Sequence, residues 1–360
     1  MPSLVSKISN LFFSGGSSFV VGISIGTSSI KIVELGRKGK SWKLVHFGIV
    51  QLPEDVIVNR EIINPVVVSN SIKTLINQIK LKTKFVCTSI SGTSIMIKRM
   101  SLEIKNAKEI QDQIFWEAEQ YLPFDVSEVV MDYQVLSRAK DGKTEVILVA
   151  AKRAVLESYI SCVEDAGLKV KIIDTDFFAL QNLYEANYPP SQSEAVAIVD
   201  IGSSSMKIVV VSGGVPVFTK DCSIGGNNLT SEIQKNLGLS YVDAETLKIS
   251  GGPDGKIPSE ISDLMGIISE NFISEIKKSL DFYSASASSA PVSYVLLCGG
   301  SSKIPGLSKS VEDSLNLPTQ LINPFNAISY DPSVFNQEYL SNIAPIAAVP
   351  IGLALRVGAE

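Results

Sequence analysis

A short pattern of glycine, hydroxyl residues and lysine occurs twice in the chain. It reads GISIGTSSIKIVEL from Gly22 and IVDIGSSSMKIVVV from Ile198. In each copy the small residues separate two runs rich in valine and isoleucine, which predicts a strand, a tight turn and a second strand. Such a turn presents backbone N–H groups and hydroxyls together, and the lysine adds positive charge. The pattern therefore favours the binding of phosphate.

Two such turns that face each other would grip the phosphates of one nucleotide from both sides. The candidate phosphate-binding residues are Gly26, Thr27, Ser28 and Lys31 in the first copy and Asp200, Gly202, Ser203 and Ser204 in the second. The match breaks at one position, because Ser24 stands where the second copy has Asp200.

A third element is suited to the base of a nucleotide. The segment VLLCGGSSKIPGL is an apolar strand that ends in Gly299 and Gly300 and turns into a helix. The bare glycine backbone would let a flat adenine ring lie against it, with Ser301 and Lys303 beside it. A plain strand-to-helix connection is the alternative interpretation of the same residues.

A polar pair on a predicted helix adds to this picture. In YVDAETLKIS, Glu245 and Lys248 are three residues apart and share one helical face. They could hydrogen-bond a ribose or an adenine edge. Taken alone, the two side chains are better described as a solvated ion pair.

Composition describes an ordinary globular chain of 360 residues, with 45% hydrophobic and 19% charged residues. The formal net charge of −5 and the lack of a basic stripe argue against nucleic-acid binding. His46 is the only histidine, which excludes multi-histidine metal sites and leaves a structural role for its ring. The four cysteines form no CxxC pair and are expected to be buried thiols.

The chain begins with a segment that is apolar on one face. Leu4, Ile8, Leu11 and Phe12 share a helical face, but the stretch is too short and too weakly basic for a signal peptide. The two interpretations are a frayed tail and a short amphipathic contact helix. No apolar run approaches the roughly 18–20 residues that a membrane span needs.

The ordered set of motifs resembles the actin-like ATPase superfamily, which includes DnaK chaperones, sugar kinases and FtsA. Its phosphate loops would be Gly22–Lys31 and Val199–Lys207, and its adenosine motif Leu297–Pro305. The resemblance implies a two-lobed α/β fold, ribonuclease H-like, with duplicated mixed β-sheet domains flanked by helices and with inserted α/β subdomains. Its connecting helices would cross between the lobes, where small residues such as Ala179 and Gly352 suit close packing.

The stretch IFWEAEQYLPFDVSEVVMDYQVL is similar to the PilM branch of this superfamily, the actin-like component of type IV pilus assembly. The segments GGNNLT, which begins at Gly225 and Gly226, and DAETLK, which begins at Asp243, also fit that branch. The resemblance covers the chain from about Phe19 to Arg356.

The resemblance implies ATP or ADP with Mg²⁺ as cofactors and Asp200 as the metal-positioning carboxylate. The superfamily usually has an acidic residue at the position of Ser24, where this chain offers a neutral hydroxyl. Phosphoryl transfer depends on positioning and charge neutralisation, so this loss should reduce the rate more than the affinity. We therefore expect nucleotide binding with little or no hydrolysis, and no catalytic residue is assigned.

The resemblance also implies a partner. PilM relatives bind the N-terminal cytoplasmic tail of the inner-membrane protein PilN, in a groove between the first lobe and the inserted subdomain. The chain is then expected in the cytoplasm at the inner membrane, held peripherally through PilN within the PilN/PilO assembly complex. Aromatic residues often anchor such contacts. Phe115, Trp116 and Tyr121 are the candidate anchors.

The expected organisation has eight segments. They are a tail (1–18), the first lobe (19–98), an inserted 1C-type subdomain (99–173), a connecting helix (174–194), the second lobe (195–241), a helical 2B-type subdomain (242–290), the adenosine motif (291–341) and a C-terminal connecting helix (342–360).

Two alternatives use the same fold. A small-molecule kinase would need a catalytic carboxylate in the cleft, and Asp132, Asp174 and Asp176 are its loose candidates. A filament-forming, FtsA-like protein would share the inserted subdomain. The C-terminal amphipathic helix of FtsA has no counterpart in IGLALRVGAE, which disfavours this alternative.

Overall fold

The computed structural model describes residues 19–39, 41–103, 110–138, 143–188, 194–285 and 290–356. The predicted N-terminal tail and a hairpin predicted at Asp141 and Gly142 lie outside the described residues.

In the first half of the chain the elements are, in order, β1 (Phe19–Ile25), β2 (Ser29–Lys38), β3 (Ser41–Gln51), β4 (Ile57–Val58), β5 (Glu61–Ile62), α1 (Pro65–Gln78), β6 (Phe85–Ile90), β7 (Ile95–Glu103), α2 (Ile110–Glu119), β8 (Val129–Arg138), β9 (Lys143–Lys152), α3 (Arg153–Asp165), β10 (Lys169–Thr175) and α4 (Asp176–Asn187).

In the second half they are β11 (Ala195–Ile201), β12 (Met206–Ser212), β13 (Val215–Cys222), α5 (Gly226–Leu237), α6 (Tyr241–Ser250), α7 (Ser259–Ser284), β14 (Val292–Cys298), α8 (Leu307–Leu315), β15 (Thr319–Leu321), β16 (Ile328–Ser329), α9 (Gln337–Ile343) and α10 (Ala348–Arg356).

Two sheets that share a five-strand topology form the two lobes. The first lobe is built on the sheet β10-β6-β1-β2-β3-β16 and the second on β13-β12-β11-β14-β15. In the five shared strands two antiparallel pairs continue into two parallel pairs, and β16 adds a sixth strand parallel to β3 in the first sheet. The central strands are buried on both faces, which explains their nearly continuous valine and isoleucine. The repeated sequence pattern therefore marks a duplicated fold.

The duplication extends to individual residues. Ser24 pairs with Lys31 in the β1–β2 hairpin, and Asp200 pairs with Lys207 in the β11–β12 hairpin. Both turns are closed by the same backbone hydrogen bond. Gly26 N–H donates to the carbonyl of Ser29 at 3.0 Å, and Gly202 N–H donates to that of Ser205 at 2.9 Å.

A third, three-stranded antiparallel sheet, in the order β7-β9-β8, forms the inserted subdomain. Helix α2 packs on it through Ile114 and Ala118, which belong to a small separate core. The sequence placed this subdomain at 99–173, but β10 pairs with β6 of the first lobe. The apolar face of α3 likewise packs into the first-lobe core, so the separate sheet occupies 95–152.

Helices α4 and α10 cross between the two sheets, as expected for the connecting helices. A Cβ atom at Gly352 would clash with the carbonyl oxygen of Ala179, so the helices touch backbone to backbone. Gly22 on β1 serves the same purpose, because a Cβ there would clash with the carbonyl oxygen of Pro350. The predicted role of small residues at this crossing is confirmed.

Helices α5, α6 and α7 pack on the second lobe. The buried face of α7 includes Met265, Phe272 and Ile276, which share one core with the second sheet. Within the residues described, no single helix has the length and apolar character to cross a membrane. Helix α9 and the segment Pro345–Arg356 meet those criteria only as a pair bent by 56°.

Candidate functional site

The two glycine–serine turns meet at the carboxyl ends of the parallel strands, the edge where open α/β sheets bind their ligands. The hydroxyl of Thr27 lies 2.6 Å from that of Ser203 and donates to that of Ser204 at 3.0 Å. A hydroxyl donates only once, so Ser203 must donate to Thr27. The turns predicted to grip phosphates therefore face each other directly across the lobes.

A buried lysine lies beneath the turns. The ammonium of Lys207 lies 2.9 Å from Asp200 Oδ2, on its own sheet, and 3.2 Å from Asp176 Oδ2, which follows β10 of the first sheet. Asp176 Oδ1 accepts a hydrogen bond from the Ser89 hydroxyl at 2.5 Å. One cation thus joins carboxylates from both lobes.

The charges of this group are mutually stabilised. Burial alone would lower the pKa of Lys207, but Asp200 and Asp176 outweigh burial and raise that pKa. Burial would raise the pKa of Asp176, but Lys207, Arg60 and the hydroxyl bonds lower it. Both groups are therefore ionised at neutral pH.

Lys31, the counterpart of Lys207, has no such partner. Its ammonium donates to the Ser29 hydroxyl at 2.8 Å, and within the described residues it has no carboxylate at ion-pair distance. Burial lowers its pKa to about 8, against the opposing effect of the more distant Asp200. Ser24, opposite it, supplies no charge, so Lys31 is a partly buried cation suited to an anionic ligand.

Arg60 adds a cross-lobe contact that the sequence did not predict. Its guanidinium donates to the hydroxyl of Ser205 in the second turn, and its backbone carbonyl accepts from the Tyr159 hydroxyl at 3.1 Å. Arg60 lies in the short β4–β5 hairpin and has a φ of 67°. No pattern in the sequence predicts that its side chain reaches the second turn.

The beginning of α5 abuts the second turn. The N–H groups of Gly226 and Asn227 donate to the carbonyls of Gly202 and Ser203 at 2.9 and 2.7 Å. A Cβ at Gly225 would lie 2.5 Å from the Ser203 carbonyl oxygen. The two predicted glycines therefore allow helix and turn to pack without side chains between them.

Glu245 and Lys248 form more than a surface pair. Lys248 Nζ lies 2.5 Å from Glu245 Oε2 and 2.8 Å from the Thr230 hydroxyl, which itself donates to Glu245 at 2.6 Å. Lys248 also donates to the Gly226 carbonyl at 3.4 Å. The side chains of Lys248 and Glu245 are 13% and 25% exposed, so the solvated-pair alternative does not describe them. Thr230 was not predicted.

The predicted adenosine motif packs against the second turn and the beginning of α5. Gly299 has a φ of 85°, and a Cβ there would lie 2.5 Å from Asp200 Oδ1. The Ser301 hydroxyl donates to the Gly202 carbonyl at 3.1 Å, and a Cβ at Gly226 would clash with that hydroxyl. Gly300 begins the next turn. The ammonium of Lys303 donates to the carbonyl of Asn342 at 3.2 Å, near the end of α9.

These residues fit a nucleotide better than they fit a metal ion. Gly226 and Gly299 bring the turns and the start of α5 into close backbone contact, and Lys31 lacks a carboxylate partner among the described residues. Asp200, the predicted metal ligand, is already paired with Lys207. Within the described residues no group of three or more His, Cys, Asp or Glu side chains could hold a metal ion. The donor set therefore does not fit Mg²⁺ bound by carboxylates of this chain.

The three candidate carboxylates of a kinase are not gathered in the cleft. Asp132 is exposed on β8 of the inserted sheet, and Asp174 lies 3.2 Å from the Arg356 guanidinium. Asp176 is in the cleft but is paired with Lys207. This arrangement gives no support to the kinase alternative.

The predicted partner anchors occupy different environments. Trp116 on α2 is 64% exposed, and Tyr121 is 47% exposed with the Lys98 ammonium 4.5 Å from its ring centroid. Phe115 is half-buried and packs edge-on against Tyr133, with ring centroids 6.4 Å apart. Trp116 and Tyr121 are therefore available to a partner, while Phe115 supports the inserted sheet.

The duplicated sheets, the facing turns and the crossing helices define an actin-like ATPase fold. Residues 22–358 match the family described as "Type IV pilus assembly protein PilM". The chain belongs to this family.

Comparisons with individual proteins agree with this assignment. A chain of the "PilM-PilN type IV pilus biogenesis complex" superposes with a TM-score of 0.85 at 26% identity, over 95% of this chain and 99% of the other. MreB 5 of Spiroplasma citri bound to AMPPNP superposes with a TM-score of 0.53 at 12% identity, over 94% and 95% of the two chains, which shows the fold alone.

Cell division protein FtsA of Bacillus subtilis is 24% identical over 256 residues, which cover 63% of this chain and 57% of FtsA. The chain therefore spans little more than half the length of this curated relative.

Proposed function

We propose that the protein is an ATP-binding actin-like scaffold of the type IV pilus assembly complex that binds the N-terminal cytoplasmic tail of PilN. The observation that carries the proposal is the likeness, over nearly the whole chain, to a protein solved as a complex with PilN. Through PilN and its PilO partner the protein would lie at the cytoplasmic face of the inner membrane.

The proposed nucleotide is ATP or ADP. Its phosphates would lie between the Gly26–Ser28 and Gly202–Ser204 turns, with Lys31 as the cation that binds them. Its adenosine would lie among Gly226, Lys248 and the Gly299–Ser301 turn. The contact between Thr27 and Ser203 would open to admit the phosphates, so nucleotide binding would be coupled to the spacing of the lobes.

Little or no hydrolysis is proposed. Phosphoryl transfer requires charges and a water nucleophile to be placed accurately. Ser24 supplies no carboxylate to the first turn, and both Asp176 and Asp200 are engaged by Lys207. Binding groups are thus present, whereas the acidic groups that would position a metal or a water are neutralised.

The proposed peptide site lies on the face of the inserted subdomain that carries Trp116 and Tyr121. Exposed aromatic rings on a rigid helix and loop are common anchors for a partner. The neighbouring Lys98 ammonium, stacked on Tyr121, adds positive charge there. The same nucleotide-dependent change in the spacing of the lobes would adjust this face relative to the first lobe.

The first test is to titrate a labelled PilN N-terminal peptide from the same genome into the purified protein and follow fluorescence anisotropy, with and without ATP. Saturable binding is expected, and an effect of ATP would measure the coupling between the two sites. Absence of binding in both states would contradict the scaffold proposal.

The FtsA-like filament remains the second candidate, because FtsA relatives match over part of the chain. Light scattering distinguishes the two functions. ATP-dependent polymers that form without PilN peptide would favour the filament, whereas a monodisperse protein under the same conditions would favour the scaffold.

A further inference from the structure

Lys207 occupies an unusual position for a lysine. Its side chain is 3% exposed, on the central hairpin of the second lobe, where neighbouring residues are apolar. Buried ammonium groups are costly unless they are paired, and here two carboxylates satisfy the charge. These are Asp200, opposite it on β11, and Asp176, which begins α4 after the first sheet. Lys207 is therefore a fixed cation at the junction of the lobes.

A divalent cation at such a junction would have two effects: it would neutralise the carboxylates and help to neutralise phosphate. Lys207 already performs the first, at 2.9 and 3.2 Å from the two carboxylate oxygens. A Mg²⁺ ion coordinated by Asp200 or Asp176 would have to displace this ammonium or lie beside it in a buried setting. Both arrangements are unfavourable.

A second lysine supplies positive charge for the phosphates. Lys31 has the same hairpin position in the first lobe but faces Ser24 instead of a carboxylate. Arg60 supplies a further positive charge next to the second turn through Ser205. The cleft thus contains one cation for the carboxylates and others for an incoming anion.

We propose that the ammonium of Lys207 takes the place of a divalent metal ion in this cleft, so that the chain binds nucleotide without requiring Mg²⁺. The inference rests on the proposed nucleotide function and deepens it. It gives one explanation for two differences between the hairpins: Ser24 stands where the second copy has Asp200, and Lys207 is paired with carboxylates where Lys31 is not.

The direct test is to titrate a fluorescent ATP analogue into the purified full-length protein, once with excess Mg²⁺ and once with excess EDTA. The expected dissociation constants differ by less than about threefold. A larger loss of affinity in EDTA would overturn the inference but leave nucleotide binding intact. Absence of binding in both solutions would instead contradict the proposed nucleotide function itself, and the inference with it.

Substitution separates the role of Lys207 from general packing. Lys207→Met keeps the length of the side chain and removes its charge, leaving Asp200 and Asp176 unpaired. Its affinity in EDTA should fall by about tenfold or more, and added Mg²⁺ should restore part of the loss. Lys220→Met, an exposed lysine on the next strand, is the matched control and should bind as the unsubstituted protein does. Equal affinity of Lys207→Met and the control in EDTA would overturn the inference.

A third measurement needs no variant. If the metal makes no favourable contact with the protein, then by linkage the affinity of Mn²⁺ for protein-bound ATP cannot exceed its affinity for free ATP. Electron paramagnetic resonance of free Mn²⁺ measures both affinities. Equal or weaker binding of Mn²⁺ to the protein-bound nucleotide is expected, and tighter binding would overturn the inference even if Lys207→Met failed to fold.

Discussion

Ser24 and Lys31 lie opposite each other on β1 and β2, in the register that an aspartate and a lysine occupy in the second lobe. The duplicated hairpins are thus geometrically equivalent but electrostatically different. Lys207 is neutralised by carboxylates, whereas Lys31 is partly buried and, among the described residues, has a serine hydroxyl as its side-chain hydrogen-bond partner. This asymmetry makes the first hairpin the anion-binding half of the cleft.

The affinity for ATP should decrease above about pH 8. Lys31 has a pKa of about 8 in the free protein, with Asp200, Lys207, Asp176 and Arg60 as its charged neighbours. A bound phosphate favours the charged form, so affinity is retained below that pKa and lost as the pH rises through it, by up to about tenfold per unit. Titrations from pH 6.5 to about 10 would measure this. Lys31→Met should bind weakly and show no such pH dependence, and an unaltered pH profile in this variant would contradict the assignment.

The lowered pKa of Lys31 also affects the free energy of unfolding, which should rise with pH over the range where the affinity for ATP falls. The pKa of Lys31 in the unfolded chain is near its model-peptide value of 10.5, above that in the folded protein. Between about pH 8 and 10.5 the unfolded state therefore binds more protons, so the contribution of Lys31 to the free energy of unfolding rises with pH. Urea denaturation of the parent protein and of Lys31→Met over this range would isolate that contribution.

Restoring the missing carboxylate should weaken the binding of phosphate. Ser24→Asp would place an anion opposite Lys31, raise the pKa of that lysine and compete with the nucleotide for its charge. We expect the affinity for ATP in EDTA to fall by about tenfold. Ser24→Asn, which has the same shape without the charge, should change the affinity little. Comparable losses in the two variants would point to a steric rather than an electrostatic effect.

Arg60 should contribute to stability as a cross-lobe link. Its guanidinium bonds Ser205 in a partly buried setting, so Arg60→Met should lower the free energy of unfolding by about 1–3 kcal/mol. Arg99→Met is the control, because the Arg99–Glu145 pair is largely exposed and should be worth less than about 1 kcal/mol. Equal effects of the two substitutions in denaturant titrations would show that Arg60 does not link the lobes.

The sequence predicted the features that depend on local pattern. The repeated turn, with β-branched runs on both sides, predicted two equivalent hairpins, and the register of the strands bears this out. Apolar residues recur at helical spacing from Asn64 to Lys80, a pattern that predicts a helix, and α1 spans Pro65–Gln78. Backbone preferences and side-chain periodicity act over a few residues, so a single sequence carries them.

The sequence could not predict features that depend on long-range pairing. The repeat identifies Lys207 as the counterpart of Lys31. Its ion pair with Asp176 could not be predicted, because it forms only where the two sheets meet. The assignment of β10 to the first sheet follows from its parallel pairing with β6, which no local pattern encodes. Arg60 reaches the cleft from a two-residue strand pair, too short to give a periodic signal.

The crossing of α4 and α10 should tolerate no side chain at Gly352. Because a Cβ there would clash with the Ala179 carbonyl, Gly352→Ala should lower the free energy of unfolding by about 1–3 kcal/mol. Gly266 on α7 has open space around it, so Gly266→Ala should be neutral or stabilise the helix by up to about 1 kcal/mol. Guanidinium denaturation would compare the two. A neutral Gly352→Ala would mean that the helices are less closely packed than described.

Removing the exposed indole of Trp116 should weaken PilN binding without affecting the fold. Trp116 is 64% exposed, so Trp116→Ala should leave the unfolding temperature nearly unchanged. Because Trp116 is proposed as a central anchor, Trp116→Ala should weaken the binding of the peptide by about 2 kcal/mol or more, which is roughly thirtyfold in the dissociation constant. Phe282→Ala removes an equally exposed aromatic ring, 73% exposed on α7 of the other lobe, and should leave peptide affinity unchanged. Anisotropy titrations with both variants would decide the location of the site, and equal affinities would place the PilN contact away from α2.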